Sequence, residues 1–372
     1  MSPEARQTLE KVLENYRLSG TITHAEQCVS GHINDTYMVT LVGADGSADE
    51  LVLQKINGYV FKDPKKVMHN IREVTRHVQG KEISGSCDII PFLDDPQGRN
   101  YTCVADQYWR VCRYVKDSVT HDFVEDSRVL YSAGYAFGRF QSMLCDLPMK
   151  RLYETIPDFH NTRKRLDAFF AAVDEDPLGR AADVRDSVDF FVQHRELACR
   201  LADLQKTGAI PLRVTHNDTK YNNILMHKDS LEPLCVIDLD TVMPGLTAHD
   251  FGDAIRFAAN TAVEDEHDLA KVGLNLEHYT EFTRGFMQAC QGFLTEREVE
   301  TMALGAVTIT IELASRFLAD HIGGDKYFRI HRPNHNLDRA RCQIRLAEDM
   351  LAKYDAMCRI VEDSLYGQPM YG

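Results

Sequence analysis

The sequence predicts an α+β fold in two unequal parts: residues 1–113, rich in strands with one inner helix, and residues 114–372, mainly helical. Short alternating runs with turn residues between them dominate the first part. Helical periodicity takes over in the second and is interrupted once, near 211–240, by short apolar runs.

In chain order, residues 5–18 place Leu9, Val12, Leu13 and Tyr16 on one helical face. "TITHAEQCVS", "DTYMVTLV" and "ELVLQKI" then read as strands, the last two joined by "GADGSAD", whose Asp-Gly pair marks a hairpin turn. Asp63 and Pro64 open a helix that Gly80 stops. "CDIIPFL" and "QYWRVCRYV" are two further strands expected to close this part. In the second part, "DSRVLYSAGYAFGRFQSML" is a helix with Leu130, Ala133, Phe137, Phe140 and Leu144 on one face. Its Gly134 and Gly138 match a membrane-helix spacing, but Arg128 and Arg139 favour close packing in a protein core. Helices continue through 183–206, and the pattern is helical again from 262. Residues 301–322 are apolar all round and should be buried. A single long amphipathic helix, starting at Leu337, is expected to close the chain.

A net charge of −14 disfavours nucleic acid and anionic membranes as partners. The 10 cysteines are scattered without a C-x-x-C pair, so they read as core residues of a reducing compartment rather than a zinc or disulfide framework. The first residues are charged and amphipathic, and no apolar run reaches membrane-spanning length, so a cytoplasmic location is expected.

The chemistry concentrates in "PLRVTHNDTKYNNILM", residues 211–226. Phosphoryl transfer needs metal ions bridging the phosphates, a carboxylate to orient the acceptor, and exclusion of water. Asp218 can accept a hydroxyl proton, Lys220 can offset charge on the moving phosphoryl group, and Asn223 is a neutral oxygen ligand. His216 is expected to hold the loop by hydrogen bonds. H-x-D-x-K-x-x-N is the protein-kinase catalytic-loop pattern, although an Asx-rich capped turn would look similar. The next segment, "EPLCVIDLDTVMPG", sets an apolar strand directly before Asp238. A hairpin from 223–227 into 233–238 would return Asp238 beside Asn223, as two ligands of one Mg2+ require. "HDFGD" contains a literal D-F-G at Asp250–Gly252, but Asp238 follows the strand, so the metal is assigned to Asp238. Asp250 and Asp253, opening a helix, are read as a cap and a brace for the loop. Asp240 stays open between a supporting group and a second ligand.

"VTHNDTKYNNIL", "VIDLDTVMPG" and "DFGDAIRFAA" resemble the phosphotransferases of the aminoglycoside/choline-kinase type, which share the bilobal protein-kinase-like fold. "GHINDTY", "IDLDTVMPG" and "RFLAD" are, more narrowly, similar to N-acetylhexosamine 1-kinases, with a likeness running from Gly31 to the closing helix. The resemblance implies ATP and Mg2+ as cofactors, Asp218 as base, and Asn223 and Asp238 as metal ligands. It also implies that His32 and Arg316 contact a sugar. Taken alone, His32 reads as a solvated turn histidine and Arg316 as the i,i+4 ion-pair partner of Glu312. A charged pair on an apolar helix favours a polar cavity beside it.

Two departures from protein kinases stand out. "SGHINDTY" has one glycine, so the phosphates must be cradled by side chains such as Asn34 and Thr36. Gln54, rather than a lysine, occupies the face where the phosphate-pairing lysine is expected, with Lys55 pointing away. No A-P-E element is present to suit a protein substrate. The expected activity is therefore phosphorylation of the anomeric hydroxyl of an N-acetylhexosamine. An aminoglycoside, choline or homoserine acceptor is the alternative, which the acidic run "VEDEHD" would suit if it were more than a solvated helix start. A non-catalytic nucleotide-binding protein is the remaining reading, resting on the missing lysine alone. "HRPNHN" reads as a loop rather than a metal module.

Overall fold

The computed structural model describes residues 1–28, 33–81, 88–121 and 126–366. Helix α1 (Pro3–Asn15) starts at Ser2, whose hydroxyl accepts from the Ala5 amide, and buries Leu9, Val12 and Leu13. Then follow β1 (Thr21–Cys28), β2 (Asp35–Val42), β3 (Ala48–Lys55), α2 (Pro64–Gln79), β4 (Asp88–Ile89), β5 (Thr102–Val104) and β6 (Gln107–Arg113). Five of these strands form an antiparallel sheet in the order β1-β2-β3-β6-β5. Its core joins the α1 stripe to Ile22, Val39, Leu41, Leu51, Leu53, Trp109 and Val111.

Two elements of this first part, β4 and α2, reach into the larger one. β4 does not close this sheet: it pairs in parallel with β10 (Pro233–Val236) of the other lobe, Cys235 opposite Asp88. Helix α2, capped by Asp63, turns Val67, Met68, Ile71 and Val74 into the larger core rather than the sheet's own. Its Asn70 reaches further still, donating to the carbonyls of Tyr153 and Val242 at 2.8 and 2.9 Å.

The large lobe contains β7 (Ser118–Val119), α3 (Ser127–Leu144), α4 (Thr162–Glu175), α5 (Arg185–Lys206), β8 (Arg213–Thr215), β9 (Ile224–His227), β10, β11 (Met243–Gly245), α6 (Thr247–Ala258), α7 (Leu276–Ala289), α8 (Glu296–Glu300), α9 (Met302–Gly323), α10 (His335–Ala352) and α11 (Tyr354–Tyr366). α9 is long and apolar enough to cross a membrane, yet 83% of its apolar window is buried in the fold. It is the central strut, packed by α4, α5, α6, α10 and α11. The expected single closing helix is two, α10 and α11, which break at Lys353. Cys103 and Cys145 are exposed, unlike the core cysteines expected.

Glycines set two close helix crossings. A Cβ on Gly134 would lie 2.1 Å from the Phe282 carbonyl oxygen, and one on Gly285 2.1 Å from that of Tyr131, so α3 and α7 touch backbone to backbone. A Cβ on Gly305 would lie 2.0 Å from the Ala248 oxygen, which seats α6 directly on α9. That contact fixes the helix beneath the site.

Candidate active site

Strand β8 delivers the chain to the 216–223 loop and is paired with β11, Thr215 opposite Met243. The Thr215 hydroxyl donates to the Met243 carbonyl at 3.0 Å. Every peptide group around the candidate base is then held. The amides of His216 and Asn217 donate to the Asp250 carboxylate at 2.8 and 2.7 Å, and that of Thr219 to Asp253 at 3.1 Å. His216 is fully buried between Phe137 and Phe140. Its Nε2 donates to the Ile237 carbonyl at 2.9 Å, while Nδ1 accepts the Asp218 amide at 3.3 Å. The brace read for Asp250 and Asp253 is present, but Asp250 caps nothing. Helix α6 begins earlier, at Thr247, without a side-chain cap, and this puts both carboxylates in reach of the loop.

Asp218 sits at the centre with Lys220 Nζ 3.0 Å and Asn223 Nδ2 3.2 Å from its carboxylate. Burial would push its pKa up, but the Lys220 charge, His216 and these hydrogen bonds outweigh burial and hold it below the usual carboxylate range. The same pairing, Asp218 first among its causes, raises the pKa of Lys220. Asn223 also donates to the Asp218 carbonyl at 2.8 Å, leaving its amide oxygen outside both bonds.

The hairpin returns as read. β9 and β10 are antiparallel with Val236 opposite Ile224, and the Ile237 amide donates to the Asn223 carbonyl at 2.9 Å. Asp238 follows in the left-handed region, φ 59°, at the turn out of β10. Its carboxylate opens to solvent and accepts no hydrogen bond from the described residues. Protein atoms nonetheless crowd it from behind: burial, then the charges of Asp240 and Asp218, push its pKa up to about 6. A carboxylate without a donor, among other carboxylates, fits a hard cation. No three His, Cys, Asp or Glu side chains converge as a protein metal cage among the described residues. Mg2+ asks for less, one or two carboxylate or amide oxygens with phosphates and water completing its shell, and Asp238 with Asn223 fits that donor set.

Asp240 is no ligand in this arrangement. It forms a two-pronged ion pair with Arg110 of β6, with Nη2 at 3.1 Å and Nη1 on the other oxygen, and accepts from Asn34 Nδ2 at 2.6 Å. Arg110 was not foreseen. It is 1% exposed, donates to Gln54 Oε1 at 2.9 Å, and stacks on Phe92 at 4.6 Å. Gln54 in turn donates to the Thr36 hydroxyl at 3.1 Å. Asn34, Thr36 and Gln54 are thus brought together, joined through Arg110 to the turn after Asp238. Lys55 points the other way and pairs with Asp35. The sequence signal for Arg110 was an arginine in mid-strand, between Trp109 and Val111.

Arg316 and Glu312 do not pair. Glu312 accepts from the Thr162 hydroxyl at 2.6 Å and binds His160 Nδ1 at 2.9 Å. Arg316 faces the rings of Phe159, Tyr327 and Phe328 at 5.9, 5.9 and 5.4 Å. Arg165 lies close enough that, after burial, the Arg316 charge lowers its pKa. His32 lies outside the described residues.

Solved structures share this architecture over both lobes. An aminopropanol kinase associated with a microcompartment superposes with a TM-score of 0.59 at 12% identity, covering 95% of this chain and 98% of its own. An aminoglycoside phosphotransferase from Alicyclobacillus acidocaldarius gives 0.59 at 12% identity, with 97% of each chain covered. An amicoumacin kinase in complex with AMP-PNP, Ca2+ and Ami gives 0.58 at 14% identity, covering 93% and 96%. The fold is therefore the bilobal, kinase-like one of these enzymes. The model of the phosphotransferase enzyme family matches residues 24–288, a span that starts within β1 and takes in the rest of the small-lobe sheet, the Asp218 loop, the Asp238 turn and α6. The chain belongs to the phosphotransferase enzyme family.

Proposed function

We propose that the chain is an ATP- and Mg2+-dependent kinase that phosphorylates the anomeric hydroxyl of an N-acetylhexosamine. The observation that carries the transfer chemistry is the loop itself: Asp218 has its peptide neighbours fixed from all sides, and its charge is felt at Asp238, which accepts no hydrogen bond from the described residues. In this reading Asp218 accepts the proton of the C1 hydroxyl as its oxygen bonds to the γ-phosphorus and ADP leaves. An anomeric hydroxyl is acidic enough for a carboxylate of lowered pKa to serve. Lys220 offsets charge on the moving phosphoryl group. Asn223 and Asp238 would hold Mg2+, which neutralises phosphate charge when bound. Asn34, Thr36 and Gln54 face the nucleotide from the small lobe.

The acceptor assignment is supported by charge. Arg316 and its neighbour Arg165 oppose a cationic acceptor such as choline or an aminoglycoside. Glu312, a buried carboxylate whose charge acts on Arg165, is already engaged by His160 and Thr162. His32 and Arg316 then contact a neutral, hydroxyl-rich sugar.

ADP release with MgATP is the test, against N-acetylglucosamine, N-acetylgalactosamine, glucose, galactose, choline, homoserine and kanamycin. Turnover confined to the acetylated hexosamines supports the reading. Turnover only with the amines would keep the phosphotransferase and discard the sugar.

A further inference from the structure

The loop that carries Asp218 has one more support, and it comes from the acceptor side of the lobe. His160 lies just before α4, its side chain 13% exposed, with both ring nitrogens engaged: Nδ1 on Glu312 at 2.9 Å and Nε2 on the Asn217 carbonyl at 3.2 Å. Asn217 is in the left-handed region, φ 64°, which asparagine tolerates better than most non-glycine residues. The N–H of the peptide that leads into Asp218 is held by His216 Nδ1, so the His160 contact to the Asn217 carbonyl fixes the remaining polar group of that peptide. Glu312 cannot be satisfied elsewhere. It is 2% exposed, and its second oxygen accepts from Thr162.

We propose that His160, charged and oriented by Glu312, is a positioning residue for the base, setting the Asn217–Asp218 peptide in the geometry that transfer requires. The inference rests on the reading of Asp218 as the base. For a ring between a carboxylate and a carbonyl, the imidazolium is the form that donates to both. Burial would lower the His160 pKa, but Glu312, the Asn217 carbonyl and more distant Asp253 outweigh burial and raise it. His249, edge-on to His160 at 5.5 Å, takes the opposite state and stays neutral. The arrangement also couples two functions. Glu312 and Arg316 are one turn apart on α9, and Phe159, which meets the Arg316 guanidinium, precedes His160 in the chain. A shift of α9 or of this segment on the acceptor side would therefore be felt at the base.

The test compares two double variants that both remove the buried charge and differ in one donor. H160Q/E312Q lets the two amides pair and still offers a hydrogen to the Asn217 carbonyl. H160F/E312Q offers none. Loss of alignment at a reacting group costs up to about 100-fold in rate. The expected result is a kcat at least about tenfold lower for H160F/E312Q than for H160Q/E312Q, with the KM for MgATP equal in the two. Equal kcat values, or a difference confined to KM, would overturn the proposal. D218N, assayed alongside, separates the two levels: if it keeps the wild-type rate, the base assignment fails as well. Should either double variant fail to fold, nitrogen NMR of the unaltered protein decides. Hydrogens on both His160 ring nitrogens at neutral pH support the proposal, and a bare Nε2 overturns it.

Discussion

Replacing Arg110 by methionine keeps most of the side-chain volume and strands the Asp240 carboxylate. In the native structure Arg110 and Asp240 are 1% and 2% exposed, so water cannot take over the lost contacts. Asp240 would keep a single donor, Asn34 at 2.6 Å, and lose both guanidinium bonds. Gln54 Oε1 would lose its Arg110 donor as well, while Gln54 Nε2 keeps the Thr36 hydroxyl. Breaking one side of a buried ion pair costs about 3–5 kcal/mol, chiefly because the surviving charge is left uncompensated. The expected loss for R110M is in that range, measured by urea denaturation followed by circular dichroism. The origin of the loss is checked by adding D240N. If the stranded charge is the cause, removing it recovers at least about 2 kcal/mol, so the double variant is more stable than R110M alone. A loss below about 1 kcal/mol for R110M, or a further fall on adding D240N, would refute the assignment of this pair as the lock between the small sheet and the Asp238 turn.

G305A should push α6 off α9, because the added methyl meets the Ala248 carbonyl at 2.0 Å. A loss of about 1–3 kcal/mol together with a fall in kcat is expected, since α6 carries the Asp250 and Asp253 braces, and an unchanged kcat would count against that role. His249 is buried and its pKa is pushed down to about 3, by burial first and then by the His160 charge. The unfolded chain, with an ordinary histidine, binds that proton from about pH 6.5 downward. Stability should therefore fall as pH drops from 6.5 toward 3, by up to about 1.4 kcal/mol per pH unit from this group, with no loss above 6.5. H249F should make the acid limb of a stability–pH curve shallower by one proton. R316A should raise the acceptor KM about tenfold or more and leave the KM for MgATP unchanged in steady-state kinetics, if the proposed charged hydrogen bond to the sugar is what it removes.

The site was more legible than its supports, for a reason of distance along the chain. Asp218, Lys220 and Asn223 lie within six residues, and the β9–β10 hairpin that returns Asp238 is local, with alternating burial and a turn between its strands. Local pattern is what periodicity reads. The Arg110–Asp240 pair joins residues 130 apart, and the His160–Glu312 pair residues 152 apart, and nothing in either local pattern names the partner. Glu312 was assigned to Arg316 because i,i+4 proximity was the nearest pairing, whereas a buried carboxylate is claimed by whatever donors the fold brings in. Strand β4 is two residues long, too short for alternation to show which sheet it joins. The break between α10 and α11 carries no glycine or proline. Lys353 ends α10 with its ammonium on Asp349 and the Leu274 carbonyl, a tertiary contact that periodicity cannot see. The α1, α2 and α3 stripes and the burial of α9 were legible because packing follows periodicity directly.

The most direct test of the central claim is phosphorus NMR of the product formed from MgATP and N-acetylglucosamine or N-acetylgalactosamine, run in parallel with wild type and D218N. The account predicts a phosphate bonded to the anomeric oxygen, formed by wild type and lost by at least about 100-fold in the variant, the scale of general-base catalysis. Phosphate on any other hydroxyl, or an undiminished anomeric product from D218N, would contradict it.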